Sequence, residues 1–182
     1  MNLTDSRTID ADIQTVWRAL LDPDVLRACV PGCQEMTGSP EEGFEATVVQ
    51  KVGPVKATFK GHVTLEDMNP PESLTIAGEG KGGPAGFARG GAKVRLEEQG
   101  PATTVLHYDV EAKVGGKLAQ LGSRIIDGFA KKMADQFFQN FQDTVAPTTP
   151  EPTDSEAPSP ALDAAVATDT EQKKGWFARL RG

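Results

Sequence analysis

The sequence predicts an α+β domain in which a curved antiparallel sheet wraps around one long helix. Three observations predict it. Residues 117–145 carry apolar side chains at three- and four-residue steps, the helical period. Segments between residues 43 and 114 alternate apolar with polar at period two, as strands with one wet face do. The turns between those segments are short, which makes them antiparallel neighbours.

The elements follow in order. Residues 3–10 read as a first strand. Residues 12–21 have helical spacing in Ile13, Val16, Trp17 and Leu20, with Asp10 or Asp12 as N-cap. Residues 23–29 form a second short helix with Pro23 in its first turn, ended by Val30-Pro31-Gly32. About six strands come next. Among them 43–52 places Phe44, Ala46, Val48, Gln50 and Val52 on one face, and 55–67 places Val55, Ala57, Phe59, Gly61, Val63 and Leu65 there. Gly53-Pro54 is the hairpin between these two, and Asn69-Pro70-Pro71 the next turn. Segments 73–81, 87–98 and 103–114 continue the alternation.

In the long helix Leu118, Ile125, Ile126, Phe129, Ala130, Met133, Phe137 and Phe141 fill one broad arc. Arg124, Lys131, Asp135 and Gln142 fall opposite; Gly115-Gly116 breaks the preceding segment and Pro147 stops the helix. The arc is too wide for a coiled-coil seam and too interrupted for a membrane span. It needs a large concave partner, and a curved sheet supplies one: the helix-grip arrangement. The inward face of that sheet is rich in small residues, Ala57, Gly61, Gly78, Gly80, Ala88, Gly90, Ala92 and Ala112. Either the helix phenylalanines and Met133 fill the space above them, or an apolar cavity remains there. The residues expected around such a cavity are Phe129, Met133 and Phe137 from the helix, with Val48, Gln50, Phe59, Gly90 and Ala92 opposite. Gln50, the one clearly polar side chain predicted inward, either orients a ligand carbonyl or satisfies buried backbone.

Charge is uneven along the chain. Residues 1–146 carry a net −5, residues 147–172 a net −6 with no base, and residues 173–182 a net +4, together the formal −7. An acidic domain without a basic face argues against nucleic acid as a partner. Two cysteines make no disulfide framework, and without a secretory signal peptide a reducing cytoplasm is expected. Cys29 and Cys33, without a second cluster, make a poor zinc site and point to local packing, with a redox or partner role as the alternative. His62 and His107 fall on the outward face, away from any internal cavity. The glycine-rich run 78–86 lacks the spacing of a phosphate-binding loop. No catalytic or metal-binding residue is assigned.

Residues 1–146 resemble the family of the carbon monoxide dehydrogenase G subunit, within the START-like and Bet v 1-like (SRPBCC) helix-grip superfamily. The matching stretches are VWRALLDPDVLRACVPGC, KVGPVKATFKGHVTLED, AGEGKGGPAGFARGGAKVRL and VGGKLAQLGSRII, in the expected order. The resemblance implies an accessory protein rather than an enzyme, encoded with a molybdenum hydroxylase. It further implies tethering of that enzyme to the inner face of the cytoplasmic membrane. The implied ligand is a respiratory quinone, menaquinone or ubiquinone, carried in the cavity without covalent attachment. Two other readings stand beside it: a ligand-free assembly or maturation factor for the molybdenum enzyme, and a cyclase or hydrolase of the same fold.

Residues 147–172 contain five prolines, six acids and no aromatic, the composition of a disordered linker. Residues 173–182 then place Trp176, Phe177 and Leu180 among Lys173, Lys174, Arg179 and Arg181. Aromatic residues beside bases suit a membrane interface, and a groove on a partner protein is the alternative. Ten residues give only weak, reversible attachment.

Overall fold

A computed structural model describes residues 1–146; the expected linker and basic-aromatic tip lie outside the described residues. Strand β1 (Asn2–Ile9) leads into helices α1 (Ile13–Leu20) and α2 (Pro23–Cys29). Strands β2 (Cys33–Ser39), β3 (Gly43–Val52), β4 (Val55–Asn69), β5 (Ser73–Lys81), β6 (Phe87–Gly100) and β7 (Thr103–Gly115) follow, then helix α3 (Ser123–Val145). The seven strands form one sheet in the order β1-β7-β6-β5-β4-β3-β2, antiparallel at every pairing. The sheet curves around α3, as the alternation and the broad helical arc predict.

Local chemistry sets the two short helices. Asp12 caps α1 by accepting from the Thr15 amide at 3.0 Å and the Thr15 hydroxyl at 2.6 Å, and these bonds hold its carboxyl below the usual range. Asp22 caps α2 through the amides of Asp24 and Val25, with Pro23 pre-set for the first turn. The buried face of α1, Val16, Trp17, Ala19 and Leu20, packs into a core with Ile9, Leu74, Val94, Leu106 and Phe141. Inside it the Thr104 hydroxyl donates to the Ala11 carbonyl at 2.8 Å and so satisfies the chain where β1 passes into α1.

The register puts the expected inward residues in common rows. Ala46, Gly61, Gly80, Ala88 and Val114 are successive cross-strand partners, and so are Val63, Gly78, Gly90 and Ala112. About six strands are expected after the helices and six are present, one of them unmarked by periodicity. Strand β2 has no alternating apolar pattern, only Met36 amid polar residues, so periodicity does not distinguish it. Three readings of the sequence need correction. Helix α3 begins at Ser123 rather than at 117, because Gly122 adopts φ 85° and separates it from a single 3-10 turn at Ala119–Leu121. Ile125 lies outside the buried arc and is 42% exposed. Asp135 and Gln142 do not simply face water. Asp135 pairs with Arg7 of β1, and the Gln142 carboxamide donates to the Asp10 carboxylate at 2.9 Å while accepting from the Asp10 amide at 3.1 Å.

Helix α3 is buried at its ends and only half-buried between them. Ile126 lies in one apolar cluster with Val52 and Leu118, while Phe141 and Val145 lie in the main core. Phe129, Met133, Ala134, Phe137 and Phe138 are half-buried. Phe141→Ala is therefore expected to cost about 3–5 kcal/mol, and Ile125→Ala less than about 0.5 kcal/mol. Urea unfolding of the two variants checks this; equal losses would mean that α3 is not held by its carboxy-terminal core.

Candidate functional site

The half-buried middle of α3 covers two apolar chambers. The first, about 380 Å³, lies between the amino-terminal half of α3 and the row of small residues on the sheet. Phe129, Ala130 and Met133 roof it, with Phe59, Ala88, Ala112 and Val114 below. The second, about 340 Å³, lies toward α1 and α2, under Phe137 and Phe138 and over Val63, Ile76 and Ala92. Val110, Met133 and Ala134 belong to both walls, so Met133 stands at the partition. Phe137 and Met133 thus fill part of the space above the small residues, and two chambers remain. Each has the size and the apolar lining of a small-molecule pocket.

Of the eight expected lining residues, the first chamber brings together Gln50, Phe59, Phe129 and Met133. The second brings together Ala92, Met133 and Phe137. Val48 and Gly90 line neither. Gly90 answers to a different constraint: a Cβ there would sit 2.0 Å from the Glu111 carbonyl oxygen and 2.7 Å from the Ala112 Cα. Close approach by β7, rather than by a ligand, requires that glycine. Alternation along 103–114 places Val110 on the inward face without marking it as a wall of both chambers, and spacing does not reveal the wall contributed by α1, α2 and β2, including Leu20, Leu26 and Met36. Leu118 also lines the first chamber, but from a position before α3 rather than on it, where its amide donates to the Ala85 carbonyl at 3.0 Å.

Polar groups in these walls are few. The Gln50 side-chain amide donates to the Pro31 carbonyl, tying β3 to the turn after α2. Gln50 therefore satisfies backbone, the second of its two expected roles, while remaining on the wall of the first chamber. Tyr108 stacks on Phe138 with ring centroids 4.9 Å apart. Its hydroxyl is buried and has no partner in hydrogen-bond geometry among the described residues. Among the described residues no carboxylate side chain or histidine lines either chamber. His107 meets Glu97 at 3.3 Å on the outer face of the sheet, and His62 lies in an outer groove with Lys60 and Glu79. Such walls present apolar surface for burial and few groups for acid–base chemistry.

Cys29 and Cys33 are both unpaired thiols. Cys29 is buried in the main core, 3.9 Å from the Thr144 hydroxyl, and Cys33 donates to the Glu35 carbonyl at 3.2 Å. Burial pushes both thiols up, which lowers the thiolate fraction near neutral pH. Among the described residues no group of three or more His, Cys, Asp or Glu side chains is placed to hold a metal ion. Alkylation of the native protein at neutral pH is expected to be slower at both cysteines than for an exposed thiol, slowest at Cys29, and to accelerate as pH rises. Mass-spectrometric labelling time courses check this, and rapid modification of Cys29 at neutral pH would contradict it.

The fold recurs in solved structures. A conserved protein from Geobacillus kaustophilus matches with a TM-score of 0.75 and 29% identity, covering 80% of this chain and 95% of that one. A START superfamily protein from Mycobacterium smegmatis matches with a TM-score of 0.60 and 12% identity, covering 79% and 96%. A protein from Chromobacterium violaceum matches with a TM-score of 0.59 and 16% identity, covering 81% and 99%. No curated protein is significantly similar to the chain. The family model for the G subunit of carbon monoxide dehydrogenase (CoxG) matches residues 6–146, which takes in every element from within β1 to the end of α3 and all of the chamber walls except Met1 and Leu3. The chain therefore belongs to the CoxG family, that of the carbon monoxide dehydrogenase G subunit.

Proposed function

We propose that this protein is a carrier for a hydrophobic redox molecule, a respiratory quinone of the menaquinone or ubiquinone type. In this reading it serves a molybdenum hydroxylase of the carbon monoxide dehydrogenase type as an accessory protein. It brings that enzyme to the inner face of the cytoplasmic membrane, where electrons pass to the quinone. The observation that carries the reading is the pair of apolar chambers meeting at Met133. Family membership supports the association with the dehydrogenase. Among the described residues no helix is long and apolar enough to cross a membrane, so the reading relies on peripheral contact. The basic-aromatic segment 173–182, outside the described residues, is one candidate for it.

The physical case rests on burial. Each methylene moved from water to an apolar wall is worth about 0.8 kcal/mol, so a five-carbon isoprene unit is worth roughly 4 kcal/mol before ordering costs. A quinone head group adds a flat apolar ring with two carbonyl acceptors. The sparse polar atoms at the walls would select weakly among such head groups.

Organic extraction and mass spectrometry of the natively purified full-length protein test the proposal. Quinone at a sizeable fraction of the protein concentration is expected. No bound lipid, even after incubation with quinone-loaded membranes, would overturn the carrier role and favour an assembly factor. Phe137→Ala is expected to weaken quinone binding about tenfold or more in a protein that remains folded, from the loss of its buried ring. Deleting residues 173–182 is expected to weaken binding to anionic vesicles; unchanged binding would remove that segment from the mechanism.

A further inference from the structure

Composition suggests an acidic domain without a basic face, yet the fold separates charge between its two ends. One end is made by the β3–β4 turn at Gly53-Pro54, the β5–β6 connection and the β7–α3 connection. Lys51, Lys56, Lys81, Lys113, Lys117 and Arg124 lie in or beside these turns, and all six are exposed. The runs 50–57, 80–88 and 113–126 contain no carboxylate side chain. The turns of the opposite end, in runs 38–44, 66–73 and 96–104, carry Glu41, Glu42, Glu72 and other acids and no base.

The basic end tolerates repulsion within itself. Lys51 is the direct cross-strand partner of Lys56, Lys60 of Lys81, and Arg89 of Lys113. Like charges placed opposite each other destabilise an antiparallel ladder. Of the six bases only Lys81 has an ion-pair partner among the described residues, Glu79 at 2.9 Å. The amino terminus of α3 opens at the same end without a side-chain cap or a first-turn acid, so its dipole adds to the positive potential.

Apolar side chains stand among these bases. Ile125 and Phe87 are two of the three large hydrophobic side chains exposed by 40% or more among the described residues. Ile125 and Leu121 lean over the β3–β4 turn, within about 4 Å of where a Gly53 Cβ would lie. Immediately behind them Val52, Leu118 and Ile126 form the small apolar cluster that also walls the first chamber. Exposed apolar side chains at the same end as unpaired bases are the pattern of an interfacial surface.

We propose that this end of the domain docks on an anionic lipid bilayer, and that the first chamber exchanges its ligand with the membrane through it. The exchange half of this inference rests on the carrier reading above. The bases meet lipid phosphates, Phe87 and Ile125 enter the acyl boundary, and the acidic far end is repelled, which orients the domain. An acidic protein surface would satisfy the bases but would give no role to Ile125 and Leu121, which lie beside the apolar cluster that walls the first chamber.

Co-sedimentation of the full chain with phosphatidylcholine vesicles, with or without phosphatidylglycerol, tests the docking. The variant Lys51→Gln/Lys56→Gln/Lys117→Gln/Arg124→Gln keeps residues 173–182 intact. A base near an anionic leaflet contributes about fivefold to binding, so the four-base variant is expected to bind phosphatidylglycerol vesicles roughly several hundredfold more weakly. Its melting temperature is expected to be no lower than that of the parent, because Lys51 and Lys56 repel each other. Ile125→Gln, at an exposed position, makes the same test without changing the charge. Undiminished binding by both variants would overturn the docking surface and leave the bases to an acidic protein partner. Transfer of a long-chain quinone from anionic vesicles is expected to slow in the four-base variant, while uptake of a short-chain quinone from solution is unchanged. A parent protein that takes up no quinone from solution would overturn the carrier reading, and vesicle binding would still judge the docking surface by itself.

Discussion

Phe141 fastens helix α3 to the sheet, and the interior beneath the helix follows from that fastening. The side chain is fully buried, and its ring lies 5.8 Å from that of Phe137, which in turn meets Phe138 edge-on at 5.2 Å. Phe138 stacks on Tyr108 of the sheet, so one aromatic chain joins the carboxy-terminal half of α3 to β7. Polar clasps add direction: Arg7 to Asp135, Asp10 to Gln142, and the Asn140 side chain to the Cys29 carbonyl at 3.0 Å. With one end held this firmly, the helix can cross the sheet above a row of glycines and alanines without collapsing onto them. The hollow results from that anchoring together with the small side chains beneath.

Such a hollow has a thermodynamic consequence. The chambers open to solvent rather than being sealed, so water reaches their apolar walls in the free protein. A ligand that fills the space would remove that apolar surface from water, and saturation with it would stabilise the folded state by mass action. Small residues on the inward face thus leave open apolar space where larger side chains would have closed the core.

Much of the fold was legible in the sequence because its signals are local. Alternation identified five of the seven strands directly, from β3 to β7, Pro23 marked the start of α2, and the start of α1 was narrowed to Asp10 or Asp12, of which Asp12 is the cap. The misses have physical reasons. Strand β2 owes its existence to pairing with β3, and CQEMTGS carries no periodic signal of its own. The segment before Gly122 has apolar spacing that imitates helix, but the left-handed backbone at Gly122 interrupts it. The site was less legible. Alternation assigns a side of the sheet but does not say whether a neighbour already occupies the space, which is why it points to Val48 and Gly90 at the wall. The charge separation is hidden for a related reason: the bases come from three stretches distant in sequence, and net charge averages them with the acids of the opposite end.

On the carrier reading, the interior under α3 holds an extended apolar molecule that passes Met133 from one chamber to the other. Equilibrium binding of quinone homologues of increasing isoprenoid length is the decisive measurement. Affinity is expected to rise with each added isoprene unit and then level once both chambers are filled, with Met133→Trp shifting that plateau to a shorter chain. A series in which affinity does not depend on chain length, or in which Met133→Trp changes nothing, would contradict it.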